Sequence, residues 1–203
     1  LRLPGRIAVS PNYIKHLPAI GGEVDLLRSL QLLPGVKSIS EISSGLYVRG
    51  GSPDHNLYVL DGVTLYNPSH FGGAFGTFDS DAIKSVRLFK TGLSAEYGGR
   101  VGSVLDVSMR EGTKERLGGS GGISMVNSRI MVEGPINDNA TFMIAGRRVY
   151  FDLLLLLLKN KDARYYFYDL NAKVNYQISE SDRVFASGYF GRDKFGGNFD
   201  GSG

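Results

Sequence analysis

Between residues 166 and 178 apolar and polar side chains alternate with period two. Tyr166, Tyr168, Leu170, Ala172, Val174, Tyr176 and Ile178 take the even positions, and Phe167, Asp169, Asn171, Lys173, Asn175 and Gln177 take the odd ones. Residues two apart share a face of a strand, so the segment is extended, with one greasy side and one mostly hydrophilic side. At about 3.3 Å per residue the segment covers roughly 40 Å, and a tilt of about 45° projects this to about 28 Å, close to the apolar band of about 25 Å on a membrane-spanning barrel strand. The aromatic residues lie toward the two ends, where the water interfaces of such a band would be.

Neighbouring segments repeat the pattern. Over residues 123–133 Asn127, Arg129 and Glu133 share one face, while Val126, Ile130 and Val132 share the other with two serines. Val184, Ala186, Gly188 and Phe190 make a fourth apolar face. Residues 141–151 are ambiguous, because adjacent Arg147 and Arg148 must point to opposite sides unless a bulge intervenes. Residues 134–139 and 179–182 read as short polar turns, whereas 152–164 and the stretch from Arg192 onward read as long connections. Short turns at one rim and long loops at the other are the asymmetry of an outer-membrane barrel.

The chain before about residue 112 follows different rules. Val24, Leu27, Leu30 and Leu33 recur every third residue, Leu26 widens the stripe, and Glu23 and Asp25 suit a first turn. This spacing predicts a helix within residues 12–35, closed by Pro34-Gly35. Short strand-like pieces follow at 46–48, 57–60, 63–65, 86–89 and 104–109, separated by Gly, Pro, Asn and Asp. Asp61-Gly62 between two apolar runs predicts a two-residue hairpin, whose central positions both need positive φ.

Glycine numbers 28 of 203, about twice the usual share of roughly 7%, without a collagen period. Turns and strands are therefore favoured over long helices. The absence of cysteine excludes disulfide frameworks, thiolate zinc sites and cysteine nucleophiles. The formal charge of +3 is spread along the chain without a basic block, so composition shows no footprint for nucleic acid or anionic lipid. No apolar run approaches the roughly 18 residues of a spanning helix, and no secretion leader opens at Leu1. Both ends read as cut, and the chain reads as a fragment.

Five phrases carry a family resemblance: Leu32-Leu33-Pro34-Gly35-Val36; Leu46-Tyr47-Val48-Arg49-Gly50-Gly51; Leu57-Tyr58-Val59-Leu60-Asp61-Gly62-Val63; Ala82-Ile83-Lys84-Ser85-Val86; and Ala95-Glu96-Tyr97-Gly98-Gly99-Arg100 running on to Val107. In this order they resemble the plug domain of TonB-dependent outer-membrane receptors. The resemblance implies an α+β plug domain over residues 1–114, with its core at about 12–112. Residues 115–203 would then be about the first four antiparallel β strands of an incomplete transmembrane β-barrel. It further implies active uptake of a bulky ligand (siderophore, cobalamin, glycan or peptide) across a Gram-negative outer membrane. Energy would come from the TonB-ExbB-ExbD complex through a contact segment upstream of Leu1, and the barrel would sit in outer-membrane lipid. Arg49 and Arg100, closing two of the phrases, would pair with barrel acids and hold the plug. Tyr66, Asn67, His70, Phe71 and Phe75 are the candidate ligand contacts at the plug apices, since aromatic faces and amides suit sugars, chelates and peptides.

Other features have plainer readings. Asp79-Ser80-Asp81-Ala82-Ile83 reads as the cap and first turn of a short helix rather than a catalytic carboxylate pair. His16, His55 and His70 lack ligand spacing, and the glycine loops lack the context of a nucleotide site. No catalytic residue, metal or cofactor is expected. Residues 153–158, all leucine, read as a short helix in an external loop, and Asn139-Ala140-Thr141 is a glycosylation sequon by form alone. Two rival readings remain: a receptor on the same fold that senses its ligand, or forms a surface complex with a lipoprotein lid, and a soluble glycine-rich enzyme.

Overall fold

Short apolar runs cut by Gly, Pro and Asp make short elements, and the first half of the chain is built of them. The computed structural model describes residues 5–10, 13, 24–38, 43–91, 95–152 and 163–197. These fall into two units that divide between Glu111 and Gly112. In the first unit the elements are β1 (Arg6–Val9), α1 (Leu26–Gln31), β2 (Val36–Lys37), β3 (Tyr47–Val48), β4 (Asn56–Leu60), β5 (Val63–Thr64), β6 (Ser69–His70), β7 (Phe75–Gly76), β8 (Ile83–Phe89) and β9 (Ser103–Met109). A sheet in the order β1-β8-β9-β4-β5 is accompanied by the small pairs β2-β3 and β6-β7. β4 and β9 run parallel, Leu57 opposite Val104, which requires a long crossover. Both are buried along nearly their whole length and lie inside the sheet, flanked by β8 and β5.

The Asp61-Gly62 turn forms as its chemistry predicts. Leu60 pairs with Val63, and φ is 48° at Asp61 and 86° at Gly62, the signature of a type I′ turn. The Asp61 carboxylate accepts the Met109 N–H at 3.0 Å, tying the hairpin to β9. A Cβ at Gly62 would meet no atom within 4 Å, so only its backbone resists substitution. Gly62→Ala should lower stability by about 1–2 kcal/mol and Gly62→Asn by less, as read from denaturation midpoints.

Two helix expectations are corrected. Among the described residues 24–35 the apolar stripe yields α1 alone, because Asp25 caps it from outside and Pro34-Gly35, with Gly35 at φ 77°, stops it. Val24 precedes the helix and Leu33 follows it. Asp79 and Asp81 lead into a strand, not a helix: Asp79 Oδ1 accepts the Asp81 N–H at 2.9 Å and its carbonyl accepts from Ala82, a single turn before β8.

The second unit is an antiparallel meander of β10 (Gly118–Ile123), β11 (Asn127–Asn137), β12 (Ala140–Tyr150), β13 (Ala163–Gln177) and β14 (Arg183–Gly197), in sequence order and unclosed. The described residues thus hold five strands where about four are expected. β10 escapes sequence reading because Gly-Gly-Ser-Gly-Gly-Ile has almost no side chains to alternate. The expected strand at 123–133 is two strands joined at 124–126, and the expected loop from Arg192 is still β14. The leucine run at 153–158 lies outside the described residues. No described helix is long and apolar enough to cross a membrane, which does not bear on crossing by strands.

This sheet buries polar side chains on one face, beside Phe167, Met143 and Val149, and exposes apolar ones on the other. On β13 Asn171, Lys173 and Asn175 are at most 6% exposed, while Leu170, Val174 and Tyr176 are 44–47% exposed. Ile130, Ile144 and Phe190 lie exposed on the same side. The paired arginines resolve without a bulge: pairing of β12 with β13 is continuous from Ala140 to Tyr150, so Arg147 turns to the buried side and Arg148 to the exposed one.

Candidate functional site

The first unit carries a cavity of about 310 Å³. Asp54, Asn56, Tyr66, Asn67, Ser69 and Arg100 are among its polar lining, with Leu27 and Leu57 among the apolar part. Local hydrogen bonds shape its walls. The Asn67 side chain accepts the Ser69 N–H at 3.4 Å, Thr77 Oγ1 donates to the Asn67 carbonyl at 3.2 Å, and Ser44 N–H donates to the Gly73 carbonyl at 2.6 Å. Behind it the buried Asn56 donates to the Leu46 carbonyl and accepts from Ser103 Oγ, both at 2.7 Å. Burial pushes the Tyr58 phenol above its ordinary range.

The buried carboxylate of Asp25 organises one flank. Its Oδ1 accepts the N–H groups of Leu27 at 2.7 Å and Arg28 at 3.3 Å, capping α1, and its Oδ2 accepts the Gly76 N–H of β7 at 2.6 Å. Arg28 reaches on to the Ala74 carbonyl at 2.6 Å. Asp106 is held by Arg87 Nη2 at 2.7 Å, directly across the β8-β9 ladder, and by the Tyr97 hydroxyl at 2.7 Å.

Of the residues singled out in the sequence, Tyr66, Asn67 and Arg100 line the cavity together. Phe71, half exposed at φ 52°, opens the tight turn whose Gly72 and Gly73 also line it. His70 and Phe75 face each other across β6-β7 and are buried. Arg49 is exposed just after β3, at φ 51°. Asp25, Asn56 and Asp106 were not singled out as anchors, since the partners that bury them lie up to 51 residues away.

In the second unit the buried side of the sheet sets polar and charged side chains among apolar ones such as Met143, Val149 and Phe167. Arg147 makes a fully buried ion pair with Asp169, Nε donating at 3.0 Å with Nη2 on the same oxygen. Its guanidinium carbon lies 5.2 Å from the Phe167 ring centre. Tyr189 donates to the other Asp169 oxygen at 2.8 Å.

A family model for the TonB-dependent receptor plug domain matches residues 17–104. This segment is a plug domain. Solved structures similar to the plug domain and strands together include the siderophore receptor PirA of Pseudomonas aeruginosa (18% identity, TM-score 0.69, 95% of this chain and 34% of that one) and the outer-membrane transporter YddB of Escherichia coli (14%, 0.68, 94% and 33%). The copper transporter OprC is similar too (11%, 0.66, 96% and 31%). The chain therefore spans about a third of these proteins, and at such identities the likeness is one of fold. A plug domain followed by antiparallel strands is that fold. A segment of 110 residues is also 29% identical to a probable glycine dehydrogenase (decarboxylating) subunit 1 of Moorella thermoacetica, covering 53% of this chain but 24% of that protein. The structural neighbours named here, covering nearly the whole chain, are receptors and transporters rather than enzymes.

Within the plug domain Tyr97 titrates late. Partial burial, the hydrogen bond to Asp106 and the charges of Asp106 and Glu96 outweigh Arg87 and push its phenol up to about 12. A raised folded-state value favours the neutral phenol, so this contribution is whole below pH 10 and is lost as pH rises from there through about 12. Tyr97→Phe should flatten that part of the alkaline denaturation curve and remove one late phenolate from the ultraviolet titration.

Proposed function

We propose that the chain is the N-terminal part of a TonB-dependent transporter of the Gram-negative outer membrane, in which the plug domain stoppers a barrel begun by β10 to β14. The observation that carries this reading is the two-faced meander that follows a plug domain: apolar side chains stand exposed, and Asn171, Lys173, Asn175 and the Arg147-Asp169 pair are buried. Hydrocarbon on one side and a filled, polar lumen on the other is the environment in which that distribution is stable. The chain has no machinery for bond chemistry in this reading; its work is selective passage. Tyr66, Asn67 and Phe71 offer aromatic and amide surface for a bulky ligand such as a siderophore, cobalamin, glycan or peptide, and His70 and Phe75 shape the turn beneath them. The TonB-ExbB-ExbD complex would supply the energy that shifts the plug.

Arg49 and Arg100 take the role of plug anchors through ion pairs with acids of the barrel. Arginine suits this, being always charged and able to grip a carboxylate through two parallel bonds. In the full-length protein, deleting residues 1–114 should open a large leak to small solutes, and Arg49→Ala a smaller one, measured as entry of an antibiotic too large for general porins. Unchanged entry on deletion would refute the stopper; unchanged entry for Arg49→Ala alone would refute only the anchor.

A further inference from the structure

We infer that the exposed side of the sheet holds a phosphate-bearing lipid headgroup, at the rim of the 151–162 connection, through Arg148, Arg192 and Lys194 grouped around Tyr166. The inference rests on the membrane reading above and adds a ligand to it. Strand register makes the site. Arg148 lies opposite Tyr168, which lies opposite Arg192; one row on, Tyr150 lies opposite Tyr166, which lies opposite Lys194. With neighbouring strands about 4.8 Å apart, the three cations stand on a patch roughly 10 Å wide. The Arg148 guanidinium lies 5.0 Å from the Tyr166 ring centre and the Lys194 ammonium 5.9 Å from it, so both are gathered on one aromatic platform.

Three like charges this close repel one another, and little on the protein answers them. Among the described residues no Asp or Glu shares that face of β12, β13 or β14. The pairing of Arg148 with Asp152, across 3.7 Å, is loose and its arginine is about half exposed. An anion from outside relieves that repulsion.

Its nature follows from what adjoins the patch. Phe190 continues from Tyr168 with ring centres 6.1 Å apart, and Leu170, Ile144 and Val174 carry on along the same face, all exposed. A molecule with acyl chains for that band and phosphate for the cations matches both halves. Cations at the edge of an apolar band cost little, tyrosine is at home there, and guanidinium forks bind phosphate oxygens in pairs. Of the two rims, the one with the twelve-residue connection 151–162 corresponds to the outer surface of such barrels. The occupant is therefore a phosphorylated lipid of the outer leaflet.

The test uses the full-length receptor, stripped of lipid in a non-ionic detergent and offered bisphosphorylated lipid A or the same lipid with both phosphates removed, with retention read by native mass spectrometry. Wild type should retain the phosphorylated form at least about tenfold better, and millimolar inorganic phosphate should fail to displace it. Arg192→Gln with Lys194→Gln should weaken retention about 25-fold, at about fivefold per cation. Equal retention of both lipids by wild type, or displacement by inorganic phosphate, overturns the inference without any variant having to fold. A photoreactive acyl chain separates the two layers of the argument. If it labels Leu170 and Val174 while phosphate makes no difference, the headgroup site alone is wrong; if it fails to label them, the membrane reading falls and this inference with it.

Discussion

Removing either partner of the Arg147-Asp169 pair alone should destabilise the strand unit by about 3–5 kcal/mol, because it leaves one buried charge without its counter-charge. Both side chains are essentially inaccessible, at 1% and 0% exposure. Arg147→Ala strands a carboxylate that keeps only the Tyr189 hydroxyl among the bonds described above, and Asp169→Ala strands a guanidinium facing Phe167. The pair itself is not expected to be worth that much. Its desolvation offsets most of its attraction, so the double change Arg147→Met with Asp169→Leu should recover the larger part of the loss. Arg148→Ala is the internal control: same residue type, next position, opposite face, with an expected change within about 0.5 kcal/mol. Urea midpoints of the heat-modifiable band of the full-length protein would measure all four. A double variant as unstable as the singles would show that the side chains serve more than each other.

Asp25→Ala should loosen α1 and β7 together, by about 2–4 kcal/mol. Loss of an N-cap accounts for about 1 kcal/mol, and a buried Gly76 N–H left without an acceptor adds about 1–3 kcal/mol. Gly76→Ala attacks the same joint from the other side, since a Cβ there would stand 2.7 Å from Asp25 Oδ1. In hydrogen exchange on the full-length protein the Leu27 and Gly76 amides should accelerate in concert, by at least about thirtyfold. Acceleration at Leu27 with Gly76 still protected would reduce Asp25 to an ordinary cap. The joint matters for function in the proposed reading, because β7 follows the turn whose Gly72 and Gly73 line the cavity with Tyr66 and Asn67.

What could be read in advance divides along physical lines. The Asp61-Gly62 hairpin was legible because its φ requirement is local, and β13 because period two needs only neighbouring residues. α1 was overestimated: a stripe of Val24, Leu27, Leu30 and Leu33 reports which residues seek burial, and in a unit of short elements burial is available without a helix. β10 was missed because glycine leaves no side-chain period, and its pairing from Gly118 opposite Glu133 to Ile123 opposite Ser128 rests on backbone alone. Of the candidate ligand contacts, Tyr66 and Asn67 come together on a cavity with Arg100, whereas His70 and Phe75 are used up in a two-strand pair.

By itself the chain determined its local grammar: which turns close, which segments alternate, and the order of phrases that makes residues 17–104 a plug domain. Tertiary structure alone decided which distant groups meet. Asp25 finds Gly76, Arg147 finds Asp169 while Arg148 does not, and a sequence without any basic block gathers Arg148 and Lys194 onto the Tyr166 ring with Arg192 one row away, opposite Tyr168. The reason is that alternation assigns a side chain to a face, but only register assigns it a neighbour, and electrostatic energy depends on neighbours.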